Sequence, residues 1–594
     1  MDPDLRQTWD VLVVGTGVGG ATLGHALVAA GRRVLFCELG GADAEPLRGA
    51  YPELADGRRG EVLGPADAAL LLRAGRWAEP LIDEGPARAR RFVPYVGCGS
   101  GGSSALYGMA LERFGAADFQ PEHALRADPH CDAVEHWPIT AAELAPYYDQ
   151  AEALYGVRGG RDPLATAAPP TLPGAAPTPP APPPPCSPPL PAPPPISPAG
   201  ADLMAWLAAR GLHPYRLPLA CGHSPGCATC QGLLCPQRGC KRDAAQVALY
   251  PALAPALAPA PALTSPAPHA ADPRSPAARG HARLLTGCRV LEVLSQGRRA
   301  SGVRCRLSDD SEHTLHARVV VLAAGALQTP LLLLRSRDAT GHPGLANASG
   351  LVGRCLMRHL IDLYLVRPQP AAGRGYDNRG KEVGCNDFQF VDGRRLGTLQ
   401  SFGRLPPAAM LYGALRDDLR ASRWGRVVAA GLPLARPLLQ RVLHDLAERW
   451  TALATIAEDL PYADHGIVPG GLANPAAAGV NILDTPRLRY RLHPEAQARV
   501  ALLRRQMQAV LRGRRWRLLP QADNNQRIAH ACGTCRFGTD PRRSVLDRDN
   551  RAHDVENLYI VDASFFPSAG ATNPALTIAA NALRVAARIA AALP

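Results

Sequence analysis

Three glycines spaced as Gly15-x-Gly17-x-x-Gly20, followed by an acid at Glu38, are the residues whose types and spacing first point to a chemistry. Gly15 permits a tight turn, Gly17 lets backbone approach a pyrophosphate, and Gly20 lets a helix lie close on a strand. Amides at the start of that helix face the phosphates, where the helix dipole favours negative charge. Glu38 stands where a carboxylate can accept from ribose hydroxyls, which favours FAD or NAD over a cofactor with a phosphorylated ribose. The competing reading is an ordinary βαβ unit that binds nothing.

A second polar pair lies near the carboxyl end. His530 opens the run His530 to Gly538, and Asn573 sits in Gly570-Ala-Thr-Asn-Pro574. Each is beside a turn bounded by glycine or proline, in a block that otherwise reads as core. Taking hydride from a carbon that bears a hydroxyl requires the hydroxyl proton to leave, and an imidazole with a pKa near about 6.5 is suited to accept it. Asn573 can hold the same oxygen by a hydrogen bond. Between these ends, Gly99, Ser100, Gly101, Gly102, Ser103 and Ser104 offer backbone amides able to close on a flat or anionic ligand.

Five cysteines, Cys221, Cys227, Cys230, Cys235 and Cys240, also fall close together. Three readings stay open: a turn with no metal, an iron–sulfur cluster, and a zinc site or disulfide. Their spacing matches neither a zinc ribbon nor the usual ferredoxin run, which favours the metal-free reading.

The elements that must position these groups follow from periodicity. A buried strand, Val11 to Val14, runs into the glycine turn. The helix from about Gly19 to Ala30 turns a small, apolar face to a sheet, and Gly31 stops it. A second strand, Val34 to Cys37, ends at Glu38. Strand patterns resume at Leu284 to Val290, Gly302 to Leu307 and Ala317 to Gly325, the last fully buried; Leu327-Gln-Thr-Pro330 opens a helix with proline near its start. Residues from about Arg354 to Trp516 mix strands and helices and are assigned to a substrate-facing domain. Within it, Val427 to Leu443 reads as a buried helix pair, with a surface-facing or lipid-touching helix as the alternative, and Glu458 as a solvated carboxylate with substrate contact as the alternative. A closing helix covers Leu576 to Ala591. Asp162 to Gly200 and Pro251 to Gly280 are rich in proline and alanine, favour polyproline II, and read as poorly ordered surface insertions.

Bulk properties set limits. At 594 residues the chain has room for two or more domains, and 46% hydrophobic with 20% charged residues is globular. Net charge is +13, yet lysine occurs only at Lys241 and Lys381, and the arginines are scattered. Without a basic stripe interleaved with aromatics, nucleic-acid binding is not expected. No secretory signal and no uninterrupted apolar span is read, which favours a cytoplasmic protein with peripheral membrane association left open.

The glycine fingerprint paired with Gly99-Ser-Gly-Gly-Ser-Ser-Ala105, then His136-Trp-Pro, Pro146-Tyr-Tyr-Asp-Gln-Ala-Glu152 and the blocks around His530 and Asn573, resembles the glucose-methanol-choline (GMC) family of FAD oxidoreductases. The resemblance implies an α/β fold, a Rossmann-like FAD-binding domain of the GMC type with an α+β substrate-binding domain. On that pattern residues 1–160, 281–353 and 521–594 form the FAD domain. Residues 161–200 and 251–280 are the Pro/Ala insertions, 201–250 a Cys-rich segment joining the FAD domain, and 354–520 the substrate domain.

It also implies site roles. His530 and Asn573 face the flavin, the Gly99 to Ser104 segment and Tyr107 lie along the ring, Val290 passes the adenine, Asp562 meets the ribityl or pyrophosphate part, and Pro574 lies against the ring. Leu106, where members with a histidine-linked flavin carry histidine, implies non-covalent FAD. The expected activity is oxidation of a small-molecule alcohol, with oxygen, a quinone or a cytochrome-type partner as acceptor. An electron-relaying dehydrogenase with a cysteine-bound cluster and a flavin-binding protein without turnover are the rival readings.

Overall fold

The computed structural model describes residues 5–41, 65–85, 89–121, 131, 135–165, 187–222, 235, 240–254, 280–338, 340–341, 344–369, 380–392, 394–403, 408, 411–412, 415, 419, 423–470, 485–525 and 528–593. β1 (Thr8–Val14), α1 (Val18–Ala29) and β2 (Val34–Cys37) follow one another as an apolar strand, a glycine turn and a small-residue helix should. β2 lies parallel to β1, with Val11 opposite Val34 and Val14 opposite Cys37. The other flank of β1 takes Glu312–Leu322, also parallel, with Val14 opposite Leu322. Ala282–Leu285 adds beyond β2, and Leu558–Ile560 pairs with the far end of Glu312–Leu322. A hairpin, Arg289–Gln296 and Arg299–Arg306, completes the sheet in antiparallel register.

Val11 to Val13 and Val320 to Leu322 are fully buried, which is why these strands read as unbroken apolar runs, as strands covered on both faces do. Parallel pairing has a geometric result: the carboxyl ends at Val14, Cys37, Leu285, Leu322 and Ile560 share one edge. Gly15, Glu38, Gly325 and Asp562 emerge there, and in open α/β sheets ligands bind outside that edge. Behind it α1 packs on the helix Ala575–Ala592, which packs in turn on Ala141–Tyr155. Ala575–Ala592 is the one helix among the described residues long and apolar enough to cross a membrane, and Leu576, Ala579, Ala580 and Val585 bury it within the fold.

A second sheet of six strands is antiparallel throughout, in the order Trp516–Leu519, Leu360–Val366, Thr451–Ala457, Gly397–Gly403, Val383–Cys385, Tyr215–Arg216. The segment 201–250 divides between the two sheets: Tyr215–Arg216 forms an edge of the second, whereas Ala245–Leu249 packs on α1.

Three expectations change. Val427 to Leu443 belongs to one continuous helix, Arg423–Arg449, and is not a buried pair. Leu438 is 70% exposed and Val442 56%, since Arg436, Arg441 and Arg449 keep that length at the surface. Glu458 is fully buried, not solvated, and pairs with Arg395 at 3.0 Å. Most of the first Pro/Ala insertion, 166–186, and all of 255–279 lie outside the described residues. However, Pro188, Pro191 and Pro194 accept hydrogen bonds from Arg161, Gly159 and Arg216. An extended proline segment makes no internal hydrogen bonds, so its carbonyls are free to be used this way.

Candidate active site

At the carboxyl edge, Gly17 caps α1 and the first helical bond runs from Ala21 N to Gly17 O at 2.9 Å. The amides of residues 18–20 precede that bond. A Cβ added at Gly17 would meet nothing within 4 Å among the described residues, whereas one at Gly20 would lie 2.1 Å from the Gly15 carbonyl. One glycine therefore leaves room beside the helix start and the other brings the helix onto the turn. The two glycine-rich segments meet here, because a Cβ on Gly102 would be 3.0 Å from Gly17 Cα.

Glu38 ties them together. Its carboxylate accepts from Thr16 N at 3.0 Å, Thr16 Oγ1 at 2.7 Å, Gly40 N at 3.1 Å and Gly99 N at 3.0 Å. Burial pushes this carboxyl up, against those donated bonds. Asp562 does the same work on the next strand end. It accepts from Gly325 N at 2.9 Å, Thr329 Oγ1 at 2.5 Å, Ser564 N at 2.8 Å and the Ser564 hydroxyl, and burial pushes it up likewise. Each acid accepts four protein hydrogen bonds, which tie the turns together.

Within the Gly99 to Ser104 segment, Gly99, Gly101 and Gly102 adopt positive φ, and Ser104 Oγ donates to Gly101 O at 2.6 Å. Ser103 Oγ accepts from Gly97 N at 3.0 Å. Ser100 Oγ is buried with no partner among the described residues. A space kept open at Gly17, an uncapped helix start and an orphaned hydroxyl beside it fit a dinucleotide. Tyr107 directs its hydroxyl away, donating to Arg242 O at 2.7 Å. Val290 is half-buried in the edge hairpin opposite Cys305.

His530 sits in a bulge. Met357 and Cys532 exchange backbone hydrogen bonds at 2.9 Å, but His359 N donates to Ala529 O at 3.0 Å, one residue out of regular register. The extra residue is His530, at φ 56°, a left-handed conformation that turns a side chain out of the ladder. Its Nδ1 lies 2.7 Å from Nδ1 of His359, and His359 Nε2 lies 3.0 Å from Gly570 O. Desolvation first, then the neighbouring His359 and Lys381, hold His530 well below the usual imidazole range.

Asn573 lies three residues beyond Gly570, and Gln400 Nε2 donates to its Oδ1 at 2.6 Å. The same amide nitrogen reaches Glu112 Oε2 at 3.2 Å. A carboxylate only accepts, so the NH2 end of Gln400 must face Glu112, and Asn573 must present its oxygen to Gln400 and its own NH2 elsewhere. Glu112 also accepts from Thr572 Oγ1 at 2.8 Å, Asn386 Nδ2 at 3.2 Å and the Tyr215 hydroxyl. Burial pushes its carboxyl up. Pro574 caps the helix that follows.

The chain's two lysines both come to this place. Lys241 donates to Ala105 O at 3.0 Å under the glycine-serine segment. A Cβ on Gly108 would meet Lys381 Nζ at 2.6 Å. Burial lowers Lys381 to about 8 although Glu112 opposes the shift. Beside Lys241, Cys221 and Cys240 face each other at 3.8 Å; Cys227 and Cys230 lie outside the described residues.

The structure thus brings the glycine turns, Glu38 and Asp562 to one edge and joins His530 to the Asn573 loop through His359. Sequence reasoning missed His359, Gln400, Glu112 and Lys381. Only Lys381 carried a signal, as one of two lysines in a chain otherwise supplied with arginine.

Glycine turns thus stand at the carboxyl edge of one sheet, and the buried amide of Asn573 is held by Gln400 from the other. Family models described as GMC oxidoreductase match residues 274–361 and 477–582. The chain is 32% identical to 6'''-hydroxyparomomycin C oxidase of Streptomyces lividus, over 98% of this chain and 92% of that protein. It is 29% identical to paromamine 6'-oxidase of Streptomyces fradiae, over 99% and 92%. The crystal structure of pyridoxine 4-oxidase from Mesorbium loti superposes with a TM-score of 0.57 at 19% identity, over 98% of this chain and 99% of that one, a likeness of fold. The chain belongs to the GMC oxidoreductase family.

Proposed function

We propose that this chain is an FAD-dependent oxidoreductase that oxidises the CH–OH group of a polar, hydroxyl-bearing small molecule, with His530 as base and Asn573 as its partner on the substrate oxygen. The observation that carries the reading is that His530 and the Asn573 loop form one hydrogen-bonded assembly, with His530 held uncharged at neutral pH. The residues that would hold FAD are Gly15, Gly17 and Gly20 at the pyrophosphate, with Ser100 and the Gly99 to Ser104 amides nearer the ring. FAD supplies, when bound, the acceptor for a hydride.

As His530 takes the hydroxyl proton, the hydrogen on the same carbon would leave as hydride with the C–H electron pair, for the acceptor that FAD would supply, and the O–H electron pair would close the carbonyl. The NH2 of Asn573, turned away from Gln400, is a donor available to the substrate oxygen. The names of the two Streptomyces relatives, oxidases of 6'''-hydroxyparomomycin C and of paromamine, favour a polar substrate, as do the polar side chains around Asn573. The acceptor that reoxidises the cofactor is open among oxygen, a quinone and a cytochrome-type partner.

His530→Ala is expected to keep bound yellow flavin and lose about 100-fold or more of the rate at which a substrate alcohol bleaches it anaerobically; unchanged bleaching removes His530 from the reaction. Because desolvation depresses the His530 pKa, the base stays unprotonated well into acid. The fall of kcat/KM on the acid side should therefore come below the ordinary imidazole range.

A further inference from the structure

We infer that His359 is a positioning residue that selects the tautomer of His530, leaving His530 Nε2 as the proton acceptor; this deepens the proposed role of His530 as base and rests on it. The deduction starts at Gly570. Its carbonyl oxygen has lone pairs and no proton, so the 3.0 Å contact from His359 Nε2 requires a hydrogen on that nitrogen. A neutral imidazole carries one N–H, so His359 Nδ1 is then a lone pair. That lone pair lies 2.7 Å from His530 Nδ1, and the contact is a hydrogen bond only if His530 carries its hydrogen on Nδ1. Nε2 of His530 is what remains, unprotonated.

Both rings are neutral in this arrangement, consistent with the burial that lowers each of them. The charged groups around them are few. Glu458 and Asp459 act on His359, and Lys381 acts on His530.

The arrangement differs in sign from a histidine oriented by a carboxylate. A carboxylate would also stabilise the imidazolium formed when the proton arrives, whereas His359 offers only a neutral lone pair. His359 thus fixes which nitrogen is basic without raising its basicity. The main-chain bulge and the His359–Gly570 contact serve one end: a ring that can present only one protonation pattern to the substrate.

Two readouts test this in the flavin-loaded protein. The first does not involve turnover: long-range 1H–15N correlation spectra of 15N-histidine-labelled enzyme, with the His530 signals identified by their loss in His530→Ala. The expected pattern is protonated Nδ1 and unprotonated Nε2; a protonated Nε2 overturns the inference. The second is a pair of substitutions. His359→Gln can accept from His530 Nδ1–H through Oε1 and donate to Gly570 O through Nε2, so it should keep kcat within about tenfold. His359→Leu can do neither and should lose about 100-fold or more in kcat with little change in KM.

Equal losses in Gln and Leu variants would reduce His359 to packing and sink the proposal. His359→Glu, which puts a carboxylate against Nδ1–H, should move the acid limb of kcat/KM to higher pH; an unmoved limb counts against the contact. Should His530→Ala bleach as fast as the parent while the spectra still show Nδ1–H, the base assignment fails and the tautomer assignment stands.

Discussion

The two sides of the active site are built by opposite means. The cofactor edge is made of backbone: glycines that leave space at Gly17 or remove it at Gly20, with Glu38 and Asp562 tying turns together through protein donors. The substrate side is made of buried side chains held chiefly by other side chains, Glu112 holding Gln400, Gln400 holding Asn573, and His359, itself fixed by the Gly570 carbonyl, holding His530. Errors on the first side should therefore appear as lost fold or lost flavin, and errors on the second as lost rate with flavin retained.

The largest expected effect separates two glycines three residues apart. Gly20→Val would put its Cβ 2.1 Å from a backbone carbonyl that cannot yield, so the protein should fail to fold or accumulate without flavin. Gly17→Ala has an ordinary φ of −66° and open space; its melting temperature without flavin should match the parent, while flavin affinity falls about tenfold or more. Matching behaviour of the two variants, judged by melting curves and flavin absorbance, would erase the distinction between spacing and packing roles.

On the other side, Gln400→Leu leaves Glu112 short of a donor and Asn573 free to rotate. Since misplacing a group at the reacting centre by about 1 Å can cost on the order of 100-fold, kcat/KM should fall on the order of 10- to 100-fold with flavin content intact. Flavin loss in this variant would break the comparison.

The smallest effect has the reverse sign. Folding lowers the Lys381 pKa from 10.5 to about 8, so the protonated amine is disfavoured in the native state. Lys381→Met should raise the melting temperature by a few degrees at pH 7. Between about pH 8 and 10.5 the unfolded parent holds a proton that the folded parent lacks, so parent stability rises with pH and the advantage of the variant should vanish across that window. A constant advantage would mean that the lysine does not titrate there.

The same contrast explains how far the sequence could be read. Gly15, Gly17 and Gly20 act through local spacing, and the strands beside them are apolar without a break, so a short window carries the whole pattern. His530 and Asn573 were legible because each sits beside a marked turn. His359 is 171 positions from His530, and Gln400 is 173 from Asn573; no local pattern records such pairings, which exist only once two sheets meet. Glu458 misled for the same reason, since a carboxylate is taken as solvated until the arginine that buries it, Arg395, arrives from another strand.

The left-handed backbone at His530 also limits what mutational drift can explore at that position. Valine, isoleucine and threonine are excluded by their branched Cβ before any chemistry is tried, while asparagine and glycine are conformationally admissible and cannot act as a base in this setting. A lineage that replaces the histidine can keep the surrounding ladder only with residues that tolerate the left-handed region, asparagine or glycine foremost, so catalytic ancestry should be written in the loop's shape even where the imidazole has gone.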